Sequence, residues 1–532
     1  MTMDEVASSI EGAQVVAFPA HLSKKPDAPL SPGDSGGAPP AEPPDEPPHD
    51  GEDGGDDDVI ERMNREFAFV LVGSRAVVMR EQPDAPIEDR TRILSLDAFK
   101  AYHQNQGSMV RQRKRQEDGS WREVASFRKH APLWLSSKRR RTYDGVEFFP
   151  DPHGAAGTRG YYNFWRGFSL SPDNATPAAE RWKKYKIYRD HLLTNVVAGD
   201  KTNFEWIFAW MAQAVQRPRE RIGTAIVLRG RMGVGKTVFG DVLGSLFPSH
   251  YFLVDDPRYV LGQFNAHMAS CLVLQIDEGV WAGDKAAEGR LKGLITAPKQ
   301  MIEAKGVDPI RLDNFVRLIF TSNENWVVPA GMDERRFAVF DVAEYAKENH
   351  GYFAEMYAEL DNGGRAALLA DLLAYDLDAP GAPNLRVIPK TQALLEQKIR
   401  SLDPIPSWWL DRLVDGSQTH RGGAWRVKIP RQTVFNDYQR ASERQGVRRR
   451  AAQTEFGIHL RRLVPGLKDV QSFEDVEEIG EDGRATITHK RVWCYLFPPH
   501  EDCRAAFEAA LKQPFPWPEE ARVDGVANDG VS

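Results

Sequence analysis

Four short stretches carry residue types that could do phosphoryl chemistry. Gly230-Arg231-Met232-Gly233-Val234-Gly235-Lys236-Thr237 reads G-x-x-x-x-G-K-T, the P-loop pattern. Its glycines let backbone N–H groups turn inward around a polyphosphate such as that of ATP. Lys236 would reach the β/γ-phosphates, and the Thr237 hydroxyl would hold Mg²⁺. The bland alternative is a glycine-rich surface turn. Further on, the apolar run Cys271-Leu272-Val273-Leu274-Gln275-Ile276 ends in Asp277-Glu278. Asp277 would hold the Mg²⁺, and Glu278 would polarise an attacking water. Transfer of phosphate to a small molecule needs no Glu after the Asp, so the pair favours NTP hydrolysis over kinase chemistry. A third run, Phe315–Thr321, ends in Ser322-Asn323-Glu324-Asn325. An amide at such a strand tip can sense the γ-phosphate or the water, and Asn323 is the candidate; the alternative is an Asx turn. Fourth comes Asp333-Glu334-Arg335-Arg336-Phe337, where an arginine could reach a neighbouring subunit's nucleotide or else make surface ion pairs. Lys292, a candidate DNA contact, lies between the second and third stretches, as does Lys305, whose Lys305-Gly306 pair suits a β-hairpin tip that could grip phosphates.

These residues need parallel strands to carry them. Thr224–Leu228 reads as a buried strand before the loop, and Val238–Leu243 as the start of a helix after it. The expected fold is α/β: a P-loop ATPase core over 218–345, preceded by an α+β and helical region over 59–217. A helical connector over 346–404 and a winged-helix-like domain over 405–512 follow. In the first region, Phe67–Val72 and Ala76–Met79 predict a hairpin across Gly73-Ser74. Basic clusters at Arg111, Arg113, Lys114, Arg115 and at Lys138–Arg141 mix with aromatics such as Trp121, Trp134, Phe148, Tyr162 and Trp165. That mixture suits a single-stranded nucleic acid, or a solvated basic face over an aromatic core. Residues 178–216 read as helices packing onto the core. In the last domain, helices near Thr433–Arg444 and around Phe456–Leu463 precede two short strands, Ala485–Thr488 and Val492–Phe497. Helix–helix–wing would put Arg461 and Arg462 on or near a DNA-reading helix; a packing or dimerisation domain is the alternative.

Composition narrows the class. Residues 1–60 hold 14 acidic and 2 basic residues, leaving 62 acidic and 67 basic for the rest, so an acidic tail masks a mildly basic body. Residues 1–58, rich in Pro, Gly and acid, and residues 513–532 are expected to be disordered. Cys271, Cys494 and Cys503 fall at no zinc spacing and form no C-x-x-C pair, which reads as a reduced, cytoplasmic protein. No apolar run is long enough to span a membrane, and the N-terminus lacks a secretory pattern.

Taken in order, these motifs resemble superfamily 3 helicases, a group within the AAA+ ATPases. The strings FNAHMASCLVLQIDE (264–278), IEAKGVD (302–308), FTSNENWVVPAGMDERRFAVFDV (320–342), YYNFWRGF (161–168) and WMAQAVQRP (210–218) look like the helicase region of phage and poxvirus primase-helicases, above all the NrS-type phage primase-polymerases. The resemblance implies ATP and Mg²⁺ at Lys236, Thr237 and Asp277, hydrolysis by Glu278, Asn323 as sensor and Arg335 or Arg336 as a finger in trans. It further implies Lys305 on a DNA-contacting hairpin and homohexameric rings moving 3′ to 5′ on single-stranded DNA in phage replication. Many relatives carry an upstream primase-polymerase domain. Only about 70 ordered positions stand here before the helicase preamble, so a separate primase or DNA polymerase is expected as partner. Two other readings stay open: a ring ATPase that loads or remodels replication proteins without unwinding, and a DNA-binding initiator with an ATP switch.

Overall fold

The computed structural model describes residues 56–115, 121–256, 258–262, 265–278, 285–303, 308–479 and 485–518. The acidic segment 1–55, the Lys305 loop 304–307 and the tail 519–532 lie outside them. Asp56–Asp58 do not end a disordered tail. They form the first turn of α1 (Asp56–Glu66), where carboxylates face the positive end of the helix. Arg128 and Arg139 hold Asp56 and Asp57 there, at 2.5 and 2.6 Å.

The hairpin read from sequence is β1 (Phe67–Val72) against β2 (Arg75–Glu81), with Val72 opposite Arg75 and Gly73 at a φ of +58° that favours glycine. β3 (Thr91–Ser95) pairs with β2, and Ser95 caps α2 (Leu96–Tyr102) by accepting from the Ala98 N–H at 3.1 Å. Next comes an isolated two-stranded ribbon, β4 (Gly107–Arg115) with β5 (Trp121–Lys129), followed by α3 (His130–Ser136). β6 (Thr142–Tyr143) completes the sheet β3-β2-β1-β6, while β7 (Gly145–Glu147) and β8 (Tyr161–Asn163) pair in parallel beside it. Phe67, Phe99 and Trp134 fill one face of this module, and Val70, Met79 and Tyr162 the other.

A central body follows. Helices α4 (Ala178–Arg181), α5 (Lys186–His191) and α6 (Lys201–Gln216) lead into it. α6 is apolar almost all round because it is buried almost all round. β9 (Ala225–Arg229), α7 (Val238–Gly244), β10 (Tyr251–Val254), α8 (Arg258–Leu261), β11 (Val273–Asp277) and α9 (Lys285–Thr296) come next. They are followed by the antiparallel pair β12 (Lys299–Ile302) and β13 (Ile310–Asp313), then β14 (Arg317–Ser322) and β15 (Phe337–Asp341). Five of these strands form one all-parallel sheet in the order β10-β11-β14-β9-β15. β9 and β14 lie inside it with every residue buried, which is why they read as unbroken apolar runs. Arg317, which opens β14, is a buried exception. Its guanidinium donates to Gln213 Oε1 and to the carbonyls of Phe315, Arg217, Pro218 and Glu220 at 2.7–3.1 Å, tying the strand's start to the end of α6. Burial draws that guanidinium below its usual range.

Helices α10 (His350–Glu359), α11 (Arg365–Ala374) and α12 (Gln392–Arg400) share the sheet's core, as do α5 and α6. The boundaries expected at 217/218 and 345/346 are therefore not breaks in packing. α12 also joins the next body: Leu394 belongs to the sheet's core, and Leu395 to the core beyond. That second core is built on α13 (Pro404–Asp415), β16 (Lys428–Pro430), α14 (Arg431–Arg444), α15 (Gln453–Leu463), β17 (Lys468–Ile479), β18 (Ala485–Leu496) and α16 (His500–Leu511). The sheet order is β16-β18-β17. Ala485–Leu496 is not two short strands. It is one twelve-residue strand paired with β17, which the sequence reading missed. A ribbon with two wet faces tolerates Lys490-Arg491 in mid-strand, so the apolar alternation that marks a half-buried strand is absent. Residues 513–518 are not a loose tail either. The Gln513 amide donates to the Thr391 carbonyl at 2.7 Å, and the Trp517 indole donates to Glu508 at 2.7 Å. Among the described residues, no helix is long and apolar enough to cross a membrane.

Candidate functional site

The parallel sheet brings three of the four chemical stretches to one edge. β9, β14 and β11 are neighbours, so the segments leaving their C-terminal ends converge. From β9 runs Gly230–Thr237, with Gly233 at φ +78° and Gly235 at φ +88°. From β11 comes Glu278, itself at φ +56°, a conformation that disfavours side chains; its N–H donates to the Thr321 carbonyl at 2.9 Å. From β14 comes Asn323.

The side chains then interlock. Lys236 is buried, and its ammonium donates to the Gly230 carbonyl at 2.9 Å, the Arg231 carbonyl at 2.9 Å and Asn323 Oδ1 at 2.6 Å. Those bonds use all three ammonium protons. Asn323 Nδ2 donates onward to Glu278 Oε1 at 2.5 Å. One amide thus links the lysine of the loop to the glutamate that follows β11. Burial draws the lysine below its usual range, while the Glu278 and Asp277 carboxylates pull the other way. Asp277 accepts from the Thr321 hydroxyl at 2.5 Å through Oδ1, and its Oδ2 has no protein donor among the described residues. No group of three or more His, Cys, Asp or Glu that could hold a metal occurs among the described residues. Asp277 Oδ2 and the Thr237 hydroxyl are hard oxygen donors that fit an ion keeping most of its water, such as Mg²⁺.

Several supporting residues were not singled out from sequence. His191, at the end of α5, is fully buried beneath the loop; its Nε2–H donates to the Gly235 carbonyl at 3.2 Å. Burial pushes its pKa down to about 4, so the ring is neutral. A Cβ on Gly235 would fall 2.7 Å from Phe353 and 2.8 Å from His191, so close packing demands that glycine as much as its φ does. Gly240 of α7 is tighter still: a Cβ there would overlap Gln275 Oε1 at 1.5 Å. Arg229, the last residue of β9, donates to Asp341 at 2.5 and 2.7 Å, to Glu396 of α12 at 2.7 Å and to the Asn325 carbonyl at 2.9 Å. Burial pulls its pKa down, and the two carboxylates outweigh that. Only a basic residue ending an apolar run hinted at this anchor. The segment after β15 closes on the loop, with the Glu348 N–H donating to the Gly233 carbonyl at 3.0 Å and Glu344 pairing with Arg231 at 3.1 Å.

Other candidates stand apart. Arg335 is exposed and its guanidinium has no partner among the described residues. Arg336 is half-buried and 3.9 Å from Glu334, whose carboxylate accepts both backbone N–H groups of the pair at 2.9 and 2.6 Å. β12 and β13 form the stem of the expected hairpin, but Lys305 lies outside the described residues. Lys292 is held by Glu288 of its own helix α9. Arg461 is tied to Asp469 at 2.6 Å and to the Gly457 carbonyl at 3.0 Å, whereas Arg462 is exposed with no partner among the described residues.

Residues 228–336, which hold these stretches, match a family model described as a family of unknown function (DUF5906). Over 260 residues, 47% of this chain, the sequence is 25% identical to the DNA primase-polymerase of Nitratiruptor phage NrS-1, and the match spans 34% of that protein's length. The apo structure of the NrS-1 C-terminal region (305–718) superposes with a TM-score of 0.54 at 16% identity, covering 83% of this chain and 98% of that one. A second apo form of that region gives 0.54 at 14% identity over 83% and 99%. The chain is thus homologous to part of a phage DNA primase-polymerase, and its mixed α/β fold with a parallel sheet is that of the primase-polymerase's C-terminal region.

Proposed function

We propose that this chain is an ATP-hydrolysing DNA helicase of the superfamily 3 (AAA+) class, working as a ring, a homohexamer by family analogy, on single-stranded DNA in phage replication. The observation that carries the reading is the linkage Lys236–Asn323–Glu278 across the ends of three adjacent parallel strands. A phosphate-binding lysine, a water-activating carboxylate and an amide touching both are what hydrolysis of a terminal phosphoryl group requires. The similarity to a DNA primase-polymerase supports DNA replication as the setting. The exposed Arg335 supports a site completed by a neighbouring copy.

In the proposed reaction, the loop's N–H groups and Lys236 bind the β/γ-phosphates of ATP. Mg²⁺, held by Thr237 and Asp277, would neutralise phosphate charge. Lys236 has no spare proton until it leaves one acceptor, and Asn323 is its only side-chain acceptor among the described residues. Turning the lysine to phosphate therefore frees Asn323 Oδ1, and the amide can release Glu278. The Glu278 carboxylate then takes a proton from water as the water oxygen bonds to the γ-phosphorus and the bond to the β–γ bridging oxygen breaks, leaving ADP and phosphate. Arg335 of the next copy would neutralise the transferring group. In the C-terminal body, Arg462 on α15 with the β17–β18 ribbon fits a winged-helix reading better than Arg461, which Asp469 occupies.

The test is strand displacement from a forked duplex beside ATP turnover with and without single-stranded DNA. DNA-stimulated turnover with unwinding is expected. Turnover without strand displacement would favour a loader or remodeller, and no turnover would sink the hydrolase.

A further inference from the structure

The N-terminal module carries two basic clusters, and they have different fates. Arg139 is paired with Asp57 and Glu61, Arg140 lies over the Phe69 ring, and Arg141 is paired with Glu81. That cluster holds the module together. The aromatics that suggested base stacking are likewise mostly core: Trp134, Phe148, Tyr162 and Trp165 are buried.

The β4–β5 ribbon is different. Seven of its eighteen residues are Lys or Arg against one Glu, and among the described residues no third strand pairs with either edge. Arg111 and Lys129 are exposed and, among the described residues, have no carboxylate partner. Register sets what lies between them. Met109 is opposite Phe127, Arg111 opposite Ala125 and Gly107 opposite Lys129. Residues two apart on a strand share a face, so Lys129, the Phe127/Met109 pair and Arg111 follow one another on one face, about 7 Å apart. Phe127 and Met109 are 52% and 58% exposed, unusual for large apolar side chains with a core nearby. The Phe127 ring leans across Gly107, where a Cβ would fall 2.5 Å from its Cζ, so the glycine seats the ring on the ribbon surface.

We propose that this face of the ribbon binds single-stranded DNA, one base stacking on Phe127 beside Met109 while Arg111 and Lys129 hold the flanking phosphates. Alternating cation and aromatic is the arrangement that single strands select, because every base has a π-face and every linkage a charge. The choice of DNA rests on the helicase reading, but the surface does not depend on the nucleotide site, so its binding can be measured even if the chain hydrolyses nothing.

The full chain, without nucleotide, is titrated into fluorescein-labelled dT20 and into a 20-base-pair duplex, with anisotropy read between 50 and 200 mM NaCl. The double variant Arg111→Glu/Lys129→Glu should bind dT20 at least tenfold more weakly, with the slope of log K against log salt reduced by about 1.4, from roughly 0.7 per phosphate contact. Phe127→Ala should weaken binding by about five- to a hundredfold with the slope unchanged, and Phe127→Trp should restore it. Thermal melting of each variant checks folding. Wild-type affinity and slope in both the double variant and Phe127→Ala would overturn the proposal, as would an equal loss of duplex binding.

Discussion

Replacing Asn323 by alanine should tighten ATP binding while nearly stopping hydrolysis. In the free protein the lysine's third proton is committed to Asn323 Oδ1 at 2.6 Å, so phosphate must compete with that amide. A hydrogen bond to a charged group contributes about 1.5–3 kcal/mol, and some of this returns when Asn323 finds a new partner. A net relief of about 1–1.5 kcal/mol corresponds to roughly five- to twelvefold tighter binding. Turnover moves the other way. Without the amide, Glu278 and the γ-phosphate lose the group between them, and loss of one preorganised donor lowers kcat by about 10²–10³-fold. Calorimetric titration with a non-hydrolysable ATP analogue reads the first effect, and phosphate release at saturating ATP reads the second. Glu278→Gln is the control, keeping ATP binding at wild-type strength or better but not turnover. Weaker analogue binding by Asn323→Ala would refute competition for Lys236. Turnover within a few-fold of wild type would remove Asn323 from the reaction.

Other outcomes follow from the same geometry. Gly240→Ala should destabilise the central body by about 1–3 kcal/mol, because the new Cβ overlaps a buried amide oxygen 1.5 Å away; an unchanged unfolding midpoint would show that Gln275 moves aside freely. His191 and His250 are both pushed down to about 4 by burial. His250 is fixed as a neutral ring, its Nδ1–H donating to Ser270 at 2.8 Å and its Nε2 accepting from the Arg166 N–H at 2.9 Å. Each is neutral in both states above about 6.5. As pH falls from there to 4 the unfolded chain gains a proton the folded chain refuses, so stability declines by roughly 3 kcal/mol per ring. His250→Asn should flatten that acid limb in urea midpoints taken from pH 7 to 4, and an unaltered slope would contradict it. Finally, Arg335→Ala and Lys236→Ala subunits, each inactive, should recover turnover when mixed, because mixed interfaces pair an intact loop with an intact arginine. No recovery at any ratio would exclude a shared site through Arg335.

How much of this was legible beforehand varied with the range of the interaction. The β1–β2 hairpin announced itself through two apolar runs around Gly73-Ser74, because a two-residue turn is a local event. β9 and β14 were legible as apolar runs, because central parallel strands are buried on both faces. β18 was misread as two strands, since a ribbon wet on both sides has no burial pattern to display. The basic clusters at 111–115 and 138–141 look alike in sequence; only folding puts carboxylates from α1 and β2 beside the second, while Arg111 on the ribbon has none among the described residues. Phe127, the exposed aromatic that matters there, did not stand out among buried ones.

The sequence by itself determined the chemical types: a glycine-rich loop with Lys236 and Thr237, paired carboxylates ending a strand, an amide ending another, and two arginines. Residue type and short spacing suffice for that, because a loop's conformation and a strand's burial are set within a few positions. Tertiary structure alone decided which of them meet. Asn323 bridges Lys236 and Glu278 because the strands carrying them are adjacent in the order β11-β14-β9, a pairing spread over about ninety residues that no local pattern encodes. It also decided that His191 and Arg229 brace the loop, that Lys292 and Arg461 are tied to carboxylates, and that Arg335 meets none among the described residues.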